Sequence, residues 1–345
     1  MKKASYHKYI LNFKQPSGTS RGVLKTKETW FLIIEEDNKT GIGECGMFKG
    51  LSIDHRADFE DKLQWVCNNI NLNFESLFLE LTEFPSLQFG LEIAFKSLQA
   101  KNKFNLFPSR FTEGKKSIAI NGLIWMGSEN FMREQIQNKL DDGFSCIKMK
   151  IGAINFETEI ELIKSIRKEF SSSDIELRVD ANGAFSVSEA LEKLKILSDL
   201  DLHSIEQPIK QGQVEYMAEL CSKTPLPIAL DEELIGVFSK KGKNSLIETI
   251  KPQYIILKPT LVGGFQGSDE WIKVAEKNQI GWWVTSALES NIGLNAIAQY
   301  TFTKNNNLPQ GLGTGGLFTN NFDSPLEVNN GDLNYNINKK WNFNL

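Results

Sequence analysis

The chain has 345 residues, of which 41% are hydrophobic and 24% charged, and its formal net charge at pH 7 is −4. This length suits one barrel-sized domain with a smaller partner, and the composition is typical of a globular protein with an apolar core. The weak negative charge argues against nucleic acid as a partner, and no apolar run is long enough to span a membrane. Four dispersed cysteines and only three histidines argue against a zinc finger or a histidine-rich metal site. We therefore expect a cytoplasmic protein with no membrane partner, and no oligomeric state is predicted.

Residues 1–115 form the first predicted unit, an α+β capping domain. Residues 30–35 predict a strand whose hairpin partner is 41–44, and two helical segments follow, at 57–81 and 85–101. The asparagine-rich tail, 317–345, has no helical periodicity, and we expect it to pack on this cap.

From residue 116 to residue 316, strand and helix patterns alternate, which predicts a parallel sheet. One intervening helix, 156–170, has apolar residues at helical spacing, and another begins with a capping box of Ser186 and Glu189. The strands are predicted at 117–123, 146–151, 176–180, 203–206, 228–231, 254–258, 281–285 and 310–312. Eight strands alternating with helices indicate a closed α/β barrel of the TIM type.

Charged side chains lie at the carboxyl ends of five consecutive predicted strands, the end at which such barrels hold their active sites. They are Lys148 and Lys150, then Asp180, Glu206, Asp231 and Lys258. Three carboxylates at one mouth repel each other unless a cation lies among them. Ligation by oxygen alone favours Mg²⁺, with Mn²⁺ also possible. The sequence therefore predicts a divalent metal site at the barrel mouth.

The lysines provide candidate acid–base groups. Side chains alternate along a strand, so Lys148 and Lys150 point the same way. Repulsion between two ammonium groups is expected to lower the pKa of at least one of them, and a lysine that is neutral near pH 7 can act as a general base. Lys258 is expected to approach the same pocket from the opposite side.

This arrangement resembles the muconate-lactonizing branch of the enolase superfamily: a Lys-x-Lys strand end, three acids on the next three strands and a lysine on the sixth. Segments 43–46, 50–54, 120–125 and 286–293 are similar to those of o-succinylbenzoate synthases. The resemblance implies a modified (β/α)7–8 TIM barrel with an N-terminal α+β capping domain.

The resemblance also implies a role for each charged residue. Asp180, Glu206 and Asp231 would bind Mg²⁺. Lys150 would be the acid–base residue, Lys148 would position it, and Lys258 would stabilise the intermediate from the other face. The implied reaction is the dehydration of a small carboxylate, 2-succinyl-6-hydroxy-2,4-cyclohexadiene-1-carboxylate, to 2-succinylbenzoate. This lyase step belongs to menaquinone biosynthesis.

Loop residues at the barrel mouth are predicted to contact the substrate. They are Gly50, Leu51 and Ser52 in the cap, and Ser286, Gly311 and Gly313 in the barrel. The 311–316 segment also satisfies the pattern G-x-G-x-x-G, but no helix follows it, which argues against dinucleotide binding.

Two alternatives use the same catalytic residues. An N-succinylamino-acid racemase needs a lysine on each face of its substrate, which Lys150 and Lys258 would supply. Dipeptide epimerases are similar to one another in an Asp-x-Asp after the last strand, and segment 311–316 has no acid. A third alternative is a catalytically silent binding protein of the same fold, although no catalytic position is missing.

Overall fold

The computed structural model describes residues 1–19 and 22–345. The cap contains a sheet of antiparallel strands in the order β1-β2-β3. These strands are Lys3–Thr19, Gly22–Glu36 and Lys39–Cys45. β1 was not predicted, and β2 begins at Gly22 rather than at residue 30. The polar run 25–28 gives a weak strand signal by itself. This part of β2 is stabilised by antiparallel pairing with β1, in a register that places Lys3 opposite Glu35.

Three helices cover the cap sheet. They are α1 (Phe59–Asn68), α2 (Phe74–Glu80) and α3 (Pro85–Gln99). The single helical segment predicted at 57–81 is divided because Asn73 caps α2, where its Oδ1 accepts a hydrogen bond of 2.8 Å from the Ser76 amide. α3 packs closely on β3, since a Cβ on Gly43 would lie 1.9 Å from the Gly90 carbonyl oxygen.

The second unit is a barrel of parallel strands. β4 (Ile118–Ala119) precedes it, so the strand predicted at 117–123 is divided between two sheets. The barrel strands follow each other in space as they do in the chain. They are β5 (Gly122–Ile124), β6 (Cys146–Lys150), β7 (Glu176–Asp180), β8 (Ser204–Glu206), β9 (Ile228–Leu230), β10 (Tyr254–Leu257) and β11 (Gly281–Val284).

Two bridging residues close this sheet on itself. Gln310 pairs in parallel with Ile120, and Gly311 pairs in parallel with Thr285. The Gly311 amide donates to the Val284 carbonyl at 2.8 Å. The strand predicted at 310–312 is therefore reduced to these bridges, which still join the two edges of the sheet.

Helices surround the barrel. They are α4 (Glu129–Asp141), α5 (Phe156–Glu169), α6 (Val187–Ser198), α7 (Val214–Lys223), α8 (Lys240–Ile250), α9 (Pro259–Val262), α10 (Gly264–Lys277) and α11 (Asn291–Thr303). The predicted capping box is present at α6, where the Ser186 amide donates to Glu189 Oε1 at 3.3 Å. Apolar residues of these helices and of the strands form the largest core cluster, and a separate cluster fills the cap.

The tail contacts both units. Its strands β12 (Leu326–Asn329) and β13 (Asp332–Tyr335) form a hairpin, and β13 pairs with β4. Further along, the Trp341 ring stacks on Phe104 with centroids 4.4 Å apart. The antiparallel cap and the closed parallel barrel confirm the predicted fold class, while the boundaries at residues 115 and 316 stay predictions. Among the described residues, no helix has both the length and the apolar character that crossing a bilayer requires.

Candidate active site

The strand register brings the predicted charged residues to one rim. Lys150 at the end of β6 is the direct neighbour of Asp180 on β7, and Asp180 is the neighbour of Glu206 on β8. Asp231 follows β9 directly and Lys258 follows β10. Because parallel strands end at the same edge, all five residues lie at the carboxyl-end mouth of the barrel.

Asp180 holds both lysines of the pair. Its Oδ2 accepts hydrogen bonds from Lys150 Nζ at 2.9 Å and from Lys148 Nζ at 3.1 Å. Lys148 also donates to Glu206 Oε2 at 2.6 Å. Burial alone would raise the pKa of Asp180, but the two ammonium groups hold it well below its ordinary value.

The expected lowering of a lysine pKa is not seen at Lys148. Burial acts in that direction, but the negative charges of Asp180 and Glu206 outweigh it and raise the pKa of Lys148 above its ordinary value. The attraction of the acids beside Lys148 thus exceeds the repulsion between the two ammonium groups.

Lys258 contacts the acids from the other end of the row. Its ammonium group pairs with Asp231 Oδ2 and lies 4.0 Å from Glu206 Oε1. Burial alone would lower the pKa of Lys258, yet Asp231 and Glu206 raise it. Lys148 and Lys258 therefore approach different oxygen atoms of the same central carboxylate.

The pKa of Glu206 moves in the opposite direction to that of Asp180. Burial, together with the negative charge of Asp180, raises its pKa to about 8. Its Oε1 is buried and has no hydrogen-bond donor among the described residues.

The acids at the barrel mouth are not arranged as the ligands of a metal ion in this structure, which describes residues 1–19 and 22–345. No three His, Cys, Asp or Glu side chains among the described residues are placed so that they could hold a metal ion, since lysine ammonium groups lie between the acids. The buried oxygen of Glu206 and the all-oxygen chemistry of the neighbouring carboxylates nevertheless fit a hard divalent cation.

A cavity of about 280 Å³ opens beside these charges. Lys148, Lys150, Asp180 and Lys258 line it, whereas Glu206 and Asp231 are buried and do not. The cavity is thus bounded on one side by ammonium groups that are themselves held by acids.

The predicted substrate-contact residues divide into two groups. Four line the cavity, namely Leu51, Ser286, Gly311 and Gly313. Gly50 and Ser52 do not line the cavity, and contact of these two with the substrate stays a prediction. Gly50 is exposed, and the Ser52 hydroxyl accepts a hydrogen bond of 2.8 Å from the Phe48 amide, so it stabilises its own loop.

Several cavity residues were not predicted. Asn182 lines the wall, and its Oδ1 accepts from Lys150 Nζ at 2.7 Å. Its position two residues beyond Asp180 was the available sequence signal, and in the structure it takes a left-handed turn with φ of 45°. Thr314 also lines the cavity and shares a hydrogen bond of 2.6 Å with Ser286. Phe48 contributes an apolar surface from the cap, and no sequence pattern marked it.

Comparison with known proteins identifies the family. Residues 131–336 match a family model described as "Enolase C-terminal domain-like". An o-succinylbenzoate synthase of Desulfotalea psychrophila is 45% identical over 95% of this chain and 98% of its own length. The crystal structure of MenC from the same organism superposes with a TM-score of 0.86 at 41% identity, covering 96% of this chain and 99% of that one.

More distant relatives include epimerases. An L-Ala-D/L-Glu epimerase of Francisella tularensis subsp. novicida is 30% identical over 62% of this chain and 60% of its own length. A dipeptide epimerase from Enterococcus faecalis, crystallised with Mg and the dipeptide L-Leu-L-Tyr, has a TM-score of 0.83 at 19% identity, with 96% of each chain covered, and shares the fold. The near-complete match at 45% identity decides between these relatives: the chain belongs to the o-succinylbenzoate synthase family of the enolase superfamily.

Proposed function

We propose that this protein is an o-succinylbenzoate synthase that dehydrates 2-succinyl-6-hydroxy-2,4-cyclohexadiene-1-carboxylate to 2-succinylbenzoate in menaquinone biosynthesis. The observation that carries the proposal is the convergence of Lys150 and Lys258 on one cavity, with the acid row of Asp180, Glu206 and Asp231 behind them. The proposed partner is this small dicarboxylate, and the proposed location is the cytoplasm.

The charge of the site is suited to a dianion. Three ammonium groups and three carboxylates cancel when all carry their ordinary charges. A divalent cation would then leave an excess of two positive charges, or of one when Lys150 is neutral and ready to act as the base. The substrate has two carboxylates, one on the ring and one on the succinyl chain. Because the charged groups beside the cavity are buried, this complementarity would favour binding of the dicarboxylate.

Lys150 would carry out both proton transfers. In its neutral form it would take the proton from the ring carbon that bears the carboxylate, and the resulting ammonium group would return that proton to the departing hydroxyl group. The carbon–oxygen bond then breaks, water leaves, and the ring becomes aromatic, so protons and electrons balance. Asp180 and Asn182, which hold Lys150 Nζ at 2.9 and 2.7 Å, would orient it for both steps.

The other residues would stabilise charge. Asp180, Glu206 and Asp231 would hold Mg²⁺, with Mn²⁺ as a possible substitute. When bound, the metal supplies positive charge beside the ring carboxylate, whose negative charge grows as the proton is removed. Lys258 would add positive charge from the other side of the cavity, and Lys148 would hold Asp180 and Glu206 in place through its bonds of 3.1 and 2.6 Å.

N-succinylamino-acid racemase activity is the second candidate, because Lys150 and Lys258 both line the cavity. Dipeptide epimerase activity is less well supported. The last-strand loop contributes Gly311, Gly313 and Thr314 to the cavity wall, and none of these has a carboxylate that could form an ion pair with the ammonium group of a dipeptide.

The test is turnover of the cyclohexadiene by the purified protein with Mg²⁺, followed by the ultraviolet spectrum of the aromatic product. We expect Lys150→Ala to lower kcat by about 10²- to 10⁴-fold, because a positioned acid–base group contributes that much. The matched control is Lys168→Ala, an exposed lysine on α5, which should leave kcat unchanged. Deuterium exchange from solvent into N-succinylamino acids tests the second candidate. Rapid exchange without any dehydration would refute the first.

A further inference from the structure

A buried lysine at the interface of cap and barrel takes no part in the proposed reaction. Lys27 on β2 is 5% exposed, and its Nζ has no hydrogen-bond partner among the described residues. Burial of an ammonium group is unfavourable unless negative charge compensates it. A negatively charged group is therefore expected near Lys27 Nζ.

The compensating charge comes from the barrel. Lys27 Nζ and Glu289 Cγ both lie close to Gly46, at 3.4 and 3.1 Å from the position that a Cβ on this residue would take. Burial lowers the pKa of Lys27, and Glu289, followed by Glu44, acts in the opposite direction. Glu289 itself is fully buried. The two side chains thus form a buried pair of opposite charges, one from each unit.

Glu289 fixes a segment of the cavity wall. Its Oε2 accepts a hydrogen bond of 2.8 Å from the Ala287 amide, and its Oε1 accepts from the Thr260 hydroxyl, two residues beyond Lys258. Ala287 and Leu288 both line the cavity. Leu288 has φ of 61°, a conformation that is strained for a bulky side chain and persists only where the surroundings hold it.

A second cap residue holds the far end of the same segment. Glu44 on β3 accepts hydrogen bonds from the amides of Ser290 at 2.9 Å and Gly293 at 2.8 Å. The cap therefore contacts the segment 287–293 at two points, through Glu44 by hydrogen bonds and through Lys27 by charge alone.

We propose that Lys27 is a positioning residue, whose ammonium group compensates Glu289 across the interface and so keeps Ala287 and Leu288 in the cavity wall. Without this charge, Glu289 would be a buried carboxylate with no counter-charge at this point, and its bond to the Ala287 amide would be weakened by protonation or displacement. The kinetic part of the test rests on the proposed function, whereas the structural part does not.

The structural part measures hydrogen exchange of the Ala287 amide in Lys27→Met, Lys27→Arg and Lys25→Met. Lys25 is an exposed lysine on the same strand and is the matched control. We expect Lys27→Met to accelerate exchange at Ala287 by at least about tenfold, because local opening becomes easier. Lys27→Arg retains the charge and should stay within about threefold of the wild type, and Lys25→Met should have no effect.

The kinetic part measures KM and kcat for the cyclohexadiene. We expect Lys27→Met to raise KM by about tenfold or more with a smaller change in kcat, whereas loss of folded protein would lower kcat alone. In combination with Glu289→Gln, the Lys27→Met change should have little further effect, since the two side chains act as a pair.

Three results would overturn the proposal. They are unchanged Ala287 exchange in Lys27→Met, additive effects of Lys27→Met and Glu289→Gln, and Ala287 exchange that is as fast in Lys27→Arg as in Lys27→Met. If Lys27→Met alone does not fold, the neutral pair Lys27→Met/Glu289→Gln should fold, and its failure to do so would count against the pairing. A wild type that shows no dehydration would refute the proposed function only, because the exchange measurement would still test Lys27.

Discussion

Glu92 offers a quantitative test of how the cap is joined to the barrel. It lies on α3 of the cap, is buried, and its carboxylate accepts hydrogen bonds from the amides of Phe265 and Gln266 in the first turn of α10. The bond from Gln266 is 3.1 Å long. The substitution Glu92→Gln keeps one oxygen acceptor, so one of the two amides loses its partner, but this loss does not vary with pH and the titration is removed.

The magnitude follows from the pKa of this carboxyl. Burial raises it from an ordinary value of 4.5 to about 8, although the two amides act in the opposite direction. The folded protein therefore keeps a proton on Glu92 at pH values where the unfolded chain has released it. The free energy of unfolding must fall as the pH rises from 4.5 to about 8, and the total change is roughly 5 kcal/mol at about 1.4 kcal/mol per pKa unit.

The assay is urea unfolding followed by tryptophan fluorescence at several pH values. Between about pH 5.5 and pH 8, the free energy of unfolding of the wild type should fall by roughly 3 kcal/mol relative to Glu92→Gln. Glu248→Gln, an exposed glutamate on α8, is the control and should follow the wild type throughout. A difference between the wild type and Glu92→Gln that does not vary with pH would refute the reasoning, because Glu92 would then titrate alike in both states.

Two further predictions concern the acid row and the cap. Asp231→Asn should weaken Mg²⁺ binding by at least about tenfold in calorimetry, since it removes a charged oxygen ligand. The control Asp199→Asn, at an exposed position, should leave the affinity unchanged. Equal Mg²⁺ affinities of the wild type and Asp231→Asn would show that Asp231 is not a ligand. Gly43→Ala should lower the free energy of unfolding by roughly 3 kcal/mol, because its Cβ would meet the Gly90 carbonyl at 1.9 Å. Gly50→Ala should cost only about 1 kcal/mol, since it has open space and only an unfavourable φ of 79°. If urea unfolding shows equal losses of free energy of unfolding for Gly43→Ala and Gly50→Ala, close packing against Gly90 is not what makes the Gly43 substitution unfavourable.

The position of the charged row could be predicted because it depends on strand ends alone. Each strand–helix unit returns the chain to the same rim, so residues such as Asp180 and Glu206, spaced by one unit, must become neighbours. The pairing of these charged groups and their pKa values depend on distances of a few ångströms. The raised pKa of Lys148 is therefore a property of the folded site and not of the spacing.

The strands that escaped prediction depend on distant partners. β13 in the tail pairs with β4, where Leu333 meets Ile118, and the segment that forms β13 has no strong strand pattern of its own. The early part of β2 is polar and is stabilised by β1. Local periodicity does not report pairing of this kind, because the stabilising contact is made by residues far away in the chain.

Loop contacts were the least predictable part of the site. Leu51 and Ser52 are adjacent, yet Leu51 reaches the cavity and the Ser52 hydroxyl binds the Phe48 amide. Which side chain points inward is decided by the turn geometry of the loop. Similarly, nothing in the local sequence around Lys27 indicates that its ammonium group faces Glu289.

The cavity wall has a consequence for how this enzyme could diversify. Its ionic side comes from the barrel strands, whereas Leu24, Phe48 and Leu51 of the cap supply an apolar side. Changes in these three residues could alter which hydrocarbon skeleton is accepted without disturbing the groups that move protons. Replacing Leu24 together with the 46–52 loop by the residues of a homologue should therefore change substrate selectivity while the acid–base groups of the barrel stay in place.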